Sequence, residues 1–311
     1  MDCNFSLITL PDVEVESNDT YNDTYLPIFL TTILSLSVSL LGFVGNGIVI
    51  WLLGFCIKEN PFTTYILNLS IADFGVVTAV VALKIFWLAY MFAFVDYLYP
   101  LKAFFVTLFL FTFSTSQFLL SLISIDRCVC VFFPLWHRCH RPPHLSIILC
   151  AIIWVFTFLF SVSSAVLSLT TEYFYLWYYQ LLLNGLICTP VMTISTIALL
   201  IKICIISPQY KRGKLFTAIL LTLLFFLFFT FPMNIAEYIS NYVPYLYNAY
   251  FIEYALLGAY INSTVNPLIY FLIGREKRGG SGDKLKKILE KLFKEDEDSP
   301  EEMESSVQTQ L

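Results

Sequence analysis

The amino-acid sequence predicts an all-α membrane protein, a seven-transmembrane helix bundle with a short amphipathic cytoplasmic helix. Three observations lead to this prediction. The 311 residues are 58% hydrophobic and only 13% charged, whereas about a quarter of the residues in a soluble domain are charged. The apolar residues fall into seven long runs, and nearly all of the basic residues lie between these runs on one side of the membrane.

Each apolar run is long enough to cross a bilayer. Six of the runs contain no Asp, Glu, Lys or Arg, and the seventh contains one acid, Asp73. A helix needs roughly 20 apolar residues to cross a hydrocarbon core, and only helices and closed barrels satisfy every backbone group in lipid. Because the runs do not alternate as strands would, we expect helices. Their expected positions are about 26–55, 62–90, 101–132, 145–170, 176–206, 214–242 and 249–273.

The basic residues orient the chain. With the N-terminus outside, all but two of the 18 Lys and Arg residues fall in cytoplasmic segments, the exceptions being Lys84 and Lys102. Cytoplasmic loops carry such an excess of positive charge. We therefore expect a multi-pass protein of the plasma membrane with its N-terminus outside the cell and its C-terminus in the cytosol.

One membrane domain with two tails follows from the short connections. Residues 1–25 form the predicted extracellular tail, 26–273 the seven-transmembrane domain, and 274–311 the cytoplasmic tail. An amphipathic helix is expected at about 283–294, where helical spacing places apolar residues on one face and lysines on the other, a pattern suited to the membrane surface. Asn4, Asn18 and Asn22 lie in N-glycosylation sequons of the outer tail.

Several functional classes are poorly supported. Nucleic-acid binding is not indicated, because the basic residues form no patch interleaved with exposed aromatics. His137, His140 and His144 share one basic inner loop, which is a weak metal-binding pattern, and no nucleophile–base pair points to an enzyme. Inverted repeats or interrupted polar helices would indicate a transporter, and we find none. No extracellular cysteine pair suggests a disulfide.

Polar and helix-breaking residues recur at one place in each predicted span. A polar group inside a membrane helix is costly and is retained mostly for function. Asp73 lies in the second span, and Asp126 and Arg127 close the third. The remaining members of the set are Asn46, Trp154, Pro190, Pro232 and Pro267.

This ordered set resembles the rhodopsin-like (class A) G-protein-coupled receptors, and within them the Mas-related family. Three segments carry the resemblance: Asn60-Pro-Phe-Thr-Thr-Tyr-Ile-Leu-Asn-Leu-Ser-Ile-Ala-Asp73, Phe133-Pro-Leu-Trp-His-Arg-Cys-His-Arg-Pro142 and Asn262-Ser-Thr-Val-Asn-Pro-Leu-Ile-Tyr270. The resemblance covers the whole membrane portion. It implies a receptor that binds an extracellular ligand and activates heterotrimeric G proteins.

The resemblance also assigns roles to individual residues. Arg127, masked by Asp126 at rest, would be freed to meet the G protein, while Tyr270 would swing inward to support the open state. A snorkelling anchor at the interface is the structural alternative for Arg127. The residues expected to act as activation switches are Asn46, Pro190, Phe226, Pro232, Asn266 and Pro267.

Asp73 is interpreted as the centre of an allosteric sodium site. Asn262, Ser263 and Asn266 from the last span and Ser116 from the third would supply further oxygen atoms. Sodium would favour the resting state. The alternative is a protonated Asp73 that serves only as a hydrogen-bond partner between helices. No other cofactor is expected.

Some positions depart from the family pattern. Thr230 replaces the tryptophan expected two residues before Pro232, and Ala198 stands where many class A receptors have a tyrosine. No acid lies near Arg212 to restrain Arg127. We therefore expect a loosely held resting state, and we keep a non-signalling or constitutively active receptor-like protein as the alternative function.

Aromatic and charged residues in the outer halves indicate a ligand site. The residues expected there are Lys84, Trp87, Phe109, Phe113, Glu237, Tyr238, Glu253 and Tyr254. Aromatic faces with carboxylates favour a cationic or basic-peptide ligand. If Lys84 pairs with Glu253, the site is instead nearly neutral. Phe109 stands where amine receptors carry an aspartate, which argues against a biogenic amine.

The cytoplasmic tail suggests two further partners. The last four residues, Gln308-Thr309-Gln310-Leu311, fit the carboxyl terminus that PDZ domains bind by strand addition. Ser299, Ser305, Ser306 and Thr309 lie among acids and are candidate phosphorylation sites for arrestin binding.

Overall fold

The computed structural model describes residues 18–57, 60–93, 99–170, 176–202, 214–242 and 249–274, and some side chains within these ranges, among them those of 18–27, Glu237 and Tyr238, are not described. In this part of the chain the regular structure is helical throughout. The helices are α1 (Asn18–Phe55), α2 (Pro61–Ala93), α3 (Tyr99–Phe132), α4 (Pro134–Cys139), α5 (Leu145–Thr170), α6 (Leu176–Ile201), α7 (Lys214–Phe229), α8 (Phe231–Tyr242) and α9 (Ala249–Gly274).

These helices confirm the predicted seven-transmembrane helix bundle. The crossings are α1, α2, α3, α5, α6, the pair α7 and α8, and α9. Five helices of the described part are long and apolar enough to cross a membrane by themselves: α1, α2, α3, α5 and α6. The sixth crossing is divided between two shorter helices, and the seventh has polar residues such as Asn262 and Asn266 among its apolar ones.

Two boundaries differ from the sequence prediction. The first helix begins at Asn18 rather than near residue 26, so Asn18 and Asn22 are helical. Residues 134–139, predicted as part of an inner connection, form the short helix α4. Pro134 is its first residue, and proline favours that position because its fixed φ matches the helix and its missing N–H has no partner there.

The sixth crossing, predicted as one helix over 214–242, is interrupted at Thr230. The N–H of Thr230 still donates to Phe226 O at 2.9 Å, whereas the N–H of Met233 donates to Thr230 O at 3.1 Å and closes a tighter turn. Pro232 has no N–H to continue the helical ladder. The prediction of a continuous helix was wrong at this point. Pro190 and Pro267 lie inside α6 and α9 without ending those helices, so the presence of a proline alone does not reveal the interruption.

Close approach of α9 to this interruption depends on a glycine. A Cβ atom added to Gly258 would lie 2.6 Å from the carbonyl oxygen of Phe229, a backbone atom that cannot move aside. The absence of a side chain at Gly258 therefore lets the end of α7 contact α9. Small residues serve the same purpose at many membrane helix interfaces.

Two apolar clusters fill the bundle, one in each half of the membrane. The inner cluster includes Leu119, Leu120, Met192, Phe226 and Tyr270. The outer cluster is built from residues such as Val80, Leu83, Phe109, Phe113, Leu181 and Tyr260. α3 contacts α2, α5 and α6 and so lies at the centre. Large apolar side chains such as Leu41 and Phe228, which are 67% and 75% exposed, face outward, where lipid would cover them.

Candidate functional site

The carboxylate of Asp73 lies at the centre of a buried polar site between α2, α3 and α9. Asp73 is completely buried. Ser116 Oγ donates a hydrogen bond to its Oδ1 at 2.7 Å, and Asn266 Nδ2 donates to Oδ2 at 2.7 Å. Ser263 is a further hydrogen-bond partner. The structure thus brings together three of the four residues predicted to surround Asp73.

Asn262, the fourth residue, is buried one helical turn before Asn266. The Oδ1 atoms of Asn262 and Asn266 are both buried and have no hydrogen-bond partner in the described part of the chain. A buried polar atom without a partner is costly. Two such oxygens one turn apart on α9, one of them on the asparagine that donates to the Asp73 carboxylate, suit a small hard cation, because oxygen donors are what such an ion prefers. The residues present therefore fit a sodium ion.

Asn46 ties α1 to this part of α9. Its Nδ2 donates to Gly42 O within α1 and to Ser263 O of α9, both at 3.0 Å. Gly42 packs so closely on Thr264 that an added Cβ would overlap the Thr264 hydroxyl. The predicted switch residue Asn46 thus binds the backbone of α9 at Ser263, and the side chain of Ser263 is a partner of Asp73.

At the inner end of α3, Asp126 and Arg127 form the predicted pair. Arg127 Nη2 lies 3.2 Å from Asp126 Oδ2, and the two side chains are only 5% and 9% exposed. The guanidinium carbon of Arg127 also lies 4.3 Å above the ring centroid of Phe62 at the start of α2, a cation–π geometry. The side chain of Arg127 therefore lies inside the bundle, where the carboxylate of Asp126 and the ring of Phe62 hold it.

Arg141 is a further residue of this site, which the sequence analysis did not identify. It lies between α4 and α5, and its Nη2 is 2.9 Å from Asp126 Oδ1. The sequence analysis counted it only as one of the cytoplasmic basic residues. The available signal was a basic residue a short loop away from the Asp126–Arg127 pair, but spacing alone could not show that the loop folds back onto α3.

The switch residues of the inner half occupy one apolar environment. Phe226 is fully buried and belongs to the same cluster as Tyr270 and Met192. Pro267 packs against Gly45 of α1, where an added Cβ would lie 3.2 Å from the proline ring. Pro190 lies within α6 and Pro232 in the first turn of α8. The structure therefore gathers Phe226 and Tyr270 and leaves the three prolines on separate helices.

Buried amides in the middle of the bundle were also missed. Gln117 of α3 and Asn234 of α8 exchange two hydrogen bonds of 3.0 Å. On the neighbouring helices, Gln180 Nε2 donates to Ser114 Oγ at 2.9 Å and to Ser161 Oγ at 2.7 Å. Amides inside apolar spans were the available signal. Their partners could not be deduced because they lie more than 60 residues away in several cases.

The outer half contains an ion pair between α2 and α9. Lys84 Nζ lies 2.8 Å from Glu253 Oε2, and the side chains are 12% and 23% exposed. The pairing that the sequence analysis treated as an alternative is therefore present. Lys84 therefore neutralises the charge of Glu253. The other acid of the predicted ligand set, Glu237, has no described side chain.

The predicted ligand-contacting aromatics divide into two groups. Phe109 and Phe113 stack at 5.3 Å between centroids, and Tyr260 meets Phe109 edge-on at 6.2 Å. Phe109 and Phe113 are almost completely buried in the outer cluster. Tyr254, by contrast, is 56% exposed, and Trp87 is half-buried. A ligand would therefore reach Phe109 only after the outer helices move apart.

Several predicted sites lie outside the described residues or side chains. Nothing is described for Asn4, for the helix expected at about 283–294, or for the cytoplasmic serines. The backbones of Asn18, Asn22, Glu237 and Tyr238 are helical, and their side chains are not described. These predictions stay predictions.

Comparison with known proteins gives one family. Residues 45–270 match the family model described as "7 transmembrane receptor (rhodopsin family)". The chain is 34% identical to the proto-oncogene Mas of Rattus norvegicus, over 94% of this chain and 92% of the relative. It is 30% identical to the Mas-related G-protein coupled receptor member A1 of Mus musculus, over 89% of this chain and 92% of the relative. With the Mas-related G-protein coupled receptor MRG of Homo sapiens it shares 32% identity, over 86% of this chain and 70% of that protein.

Proposed function

Because this chain belongs to the rhodopsin family of seven-transmembrane receptors, and to the Mas-related G-protein-coupled receptors within it, we propose that it activates a heterotrimeric G protein when a ligand binds from outside the cell. It is a multi-pass protein of the plasma membrane, and its relatives are signalling receptors rather than enzymes. The ligand, the activation step and the extracellular position of the N-terminus are the parts that we propose.

The observation that carries this proposal is the buried pair of Asp126 and Arg127. An arginine at the cytoplasmic end of a central helix is 5% exposed and sits 3.2 Å from an acid. A permanently charged guanidinium would be solvated at the membrane surface unless the fold held it inside. Holding it inside allows two states: Arg127 masked by Asp126 and Phe62, and Arg127 released to bind carbonyl groups of a transducer.

A cytoplasmic surface suited to that transducer adjoins the pair. Phe133, Leu135 and Trp136 at α4 are 64%, 72% and 45% exposed. They follow the last residue of the α3 membrane span, so lipid tails need not cover them. Exposed apolar groups beside a basic segment are typical of a protein-binding surface. We therefore propose that the G protein contacts α4 as well as Arg127.

The interruption at Thr230 supports a movement of α7. α7 and α8 are separate helices, so the inner segment can tilt without bending a continuous hydrogen-bonded ladder. Phe226 and Tyr270 pack in the cluster that such a tilt would rearrange. We propose that outward movement of α7 opens the space into which Arg127 is released and Tyr270 turns.

A sodium ion beside Asp73 is part of the same proposal. Asp73, Ser116, Asn262, Ser263 and Asn266 would hold it through oxygen atoms. A bound cation would neutralise the buried carboxylate and link α2, α3 and α9 in the resting arrangement. The ion favours the resting state, because these oxygen atoms can bind it together only when α2, α3 and α9 are close to one another.

For the ligand, the pairing of Lys84 with Glu253 favours a peptide over a small cation. A ligand with a single positive charge would have to displace Lys84 from Glu253 and leave the lysine unpaired. A peptide presents charges of both signs together with apolar side chains, so it can bind both residues and the nearby aromatic rings. We propose a peptide, including a basic one, as the ligand class.

The function is tested by measuring G-protein dissociation in cells that express the receptor. A peptide library applied to the wild type should give an agonist response, and Arg127→Ala at equal surface density should abolish it. If neither the wild type nor Arg127→Ala gives a signal with any ligand and any Gα subtype, the result would support the alternative, a receptor-like protein that does not signal. Signal without ligand in the wild type would indicate constitutive activity.

Arrestin and a PDZ domain remain further proposed partners at the cytoplasmic tail. Removing the last four residues should eliminate PDZ binding without changing G-protein activation. Replacing Ser299, Ser305, Ser306 and Thr309 together by alanine should weaken arrestin recruitment. An epitope tag at the N-terminus that is stained on intact cells would confirm the proposed orientation.

A further inference from the structure

The acid of the inner pair is held by two arginines, and His137 Nε2 lies 3.8 Å from its Oδ1. Arg127 Nη2 is 3.2 Å from Asp126 Oδ2, and Arg141 Nη2 is 2.9 Å from the other oxygen, Oδ1. The side chains of Arg141 and Asp126 are 8% and 9% exposed. Each carboxylate oxygen therefore has its own guanidinium, and the one from the loop after α4 is closer than the one from α3.

Arg141 is fixed by residues from three other parts of the bundle. Its Nη2, which also faces Asp126, lies within hydrogen-bond distance of Ser146 Oγ of α5 at 2.9 Å and of Tyr65 OH of α2 at 3.2 Å. Its Nη1 lies 2.7 Å from His137 Nε2 of α4, which must accept because a guanidinium can only donate. The position of Arg141 therefore does not depend on the Asp126–Arg127 contact.

Arg127 is held in a different way. Besides Asp126 it contacts the face of Phe62, with 4.3 Å between the guanidinium carbon and the ring centroid. One carboxylate has a single negative charge, so its attraction for Arg127 is opposed by the repulsion between the two guanidinium groups. Arg127 is consequently bound to Asp126 less firmly than it would be if Arg141 were absent.

Without Arg141, release of Arg127 would leave the buried carboxylate facing His137, 3.8 Å away, instead of a permanently charged guanidinium. Breaking a buried ion pair in that way is strongly unfavourable because one charge is left uncompensated. With Arg141 in place, the carboxylate keeps a charge-assisted partner at 2.9 Å when Arg127 leaves. The loop arginine therefore stabilises the arrangement that follows release.

We propose that Arg141 is a positioning residue of the signalling switch, which holds the charge of Asp126 and thereby makes Arg127 easier to release. This inference rests on the proposed function, because it concerns how readily Arg127 reaches a transducer. It predicts the sign of an effect. Removing Arg141 strengthens the Asp126–Arg127 pair and lowers agonist-free signalling.

A purely structural role for Arg141 would give a different pattern. If Arg141 only anchors α4 through Tyr65, Ser146 and His137, its loss would disturb the loop whether or not residue 126 is charged. If Arg141 acts through Asp126, its loss has an effect only while the carboxylate is present. The dependence on Asp126 therefore separates the two roles.

The experiment measures agonist-free recruitment of Gα proteins at equal surface density. The variants are Arg141→Gln, the conservative Arg141→Lys, Asp126→Asn and the double variant Asp126→Asn/Arg141→Gln. Lys102→Gln is the control, since it removes one positive charge from the opposite end of α3, away from the proposed G-protein surface. The same proteins, purified in detergent, are also compared by thermal unfolding.

We expect Arg141→Gln to lower the agonist-free signal roughly threefold to tenfold. Arg141→Lys should restore part of it, and Lys102→Gln should leave it near the wild-type value. In the Asp126→Asn background, Arg141→Gln should have no further effect. An increase with Arg141→Gln, or an equal decrease in both backgrounds, would overturn the inference.

The thermal measurements separate failure of the inference from failure of the proposed function. If the wild type recruits no Gα protein, the Tm values test the inference about Arg141. Tm shifts for Asp126→Asn and Arg141→Gln that are non-additive in the double variant support the contact on which the inference depends. Additive shifts overturn the inference, whatever the signalling assay shows.

Discussion

Gln117 of α3 and Asn234 of α8 form a reciprocal amide pair in the middle of the membrane. Gln117 Nε2 donates to Asn234 Oδ1 and Asn234 Nδ2 donates to Gln117 Oε1, each at 3.0 Å. Both side chains are 1% exposed. Asn234 also packs on Gly185 of α6, where a Cβ added to Gly185 would lie 3.0 Å from the Cβ of Asn234. The pair therefore connects α3 to the segment just beyond the interruption at Thr230.

Removing one amide of this pair should destabilise the receptor more than removing both. Gln117→Leu leaves the buried amide of Asn234 without its partner, which costs about 1–3 kcal/mol. The double variant Gln117→Leu/Asn234→Leu has no unpaired amide, so its loss should be smaller than that of Gln117→Leu alone. Thermal unfolding of the purified proteins measures both. A double variant less stable than each single one would contradict the role that we assign to the pair.

Sodium should stabilise the wild-type protein through Asp73. Exchanging choline chloride for sodium chloride at equal ionic strength should raise the Tm by roughly 2–4 °C, because an ion that binds only the folded state shifts unfolding. Asp73→Asn should abolish this difference, since it removes the negative charge that the ion neutralises. The matched control is Asn68→Asp, which places an acid on the same helix outside the site and should leave the sodium effect of the wild type intact. Equal Tm values in the two salts for the wild type would exclude the sodium site.

Reversing the outer ion pair should restore what either single change removes. Lys84→Glu places two acids side by side, and Glu253→Lys places two lysines together, so both should reduce stability or agonist potency. The double variant Lys84→Glu/Glu253→Lys recreates an opposite-charge pair. Because the pair is partly exposed, we expect a coupling of about 1 kcal/mol in stability. A double variant as impaired as the sum of the single ones would show that the pairing itself contributes nothing.

A side chain at Gly258 should prevent correct packing of α9. Gly258→Val would force a carbon atom against the carbonyl oxygen of Phe229, so surface expression measured by flow cytometry should fall severely. Gly54 provides the matched control, because an added Cβ there meets nothing within 4 Å. Gly54→Val should reach the surface normally. Normal surface expression of Gly258→Val would show that the α7–α9 approach is not tightly constrained.

Disrupting the Asn68–Trp154 contact should have a modest effect. Trp154 Nε1 donates to Asn68 Oδ1 at 2.9 Å between α5 and α2. Trp154→Phe keeps an aromatic ring and removes the donor, so the loss in unfolding free energy should be about 1 kcal/mol. Its Tm is compared with that of Leu159→Val, a change on the same helix at a residue that is 61% exposed. A larger loss for Leu159→Val would contradict this assignment.

Some of the candidate site followed from residue type and order along the chain. Asp73, Ser116, Ser263 and Asn266 were predicted as neighbours and lie together, as do Asp126 and Arg127. These predictions were possible because a polar residue in an apolar span must find a polar partner. The resemblance to known receptors then indicated which partner. The same reasoning failed for Gln117 and Asn234, where no motif pointed to the pairing.

The sequence alone determined the class of fold, and it predicts the orientation of the chain in the membrane. The length of each apolar run, the lone acids within them and the distribution of basic residues are properties of local composition, and the bilayer acts on them segment by segment. Only the tertiary structure decided that α7 ends at Phe229, that Lys84 pairs with Glu253, and that Arg141 shares Asp126 with Arg127. These depend on distances of a few ångströms between side chains from different helices, and such distances are determined by packing rather than by the composition of any one segment.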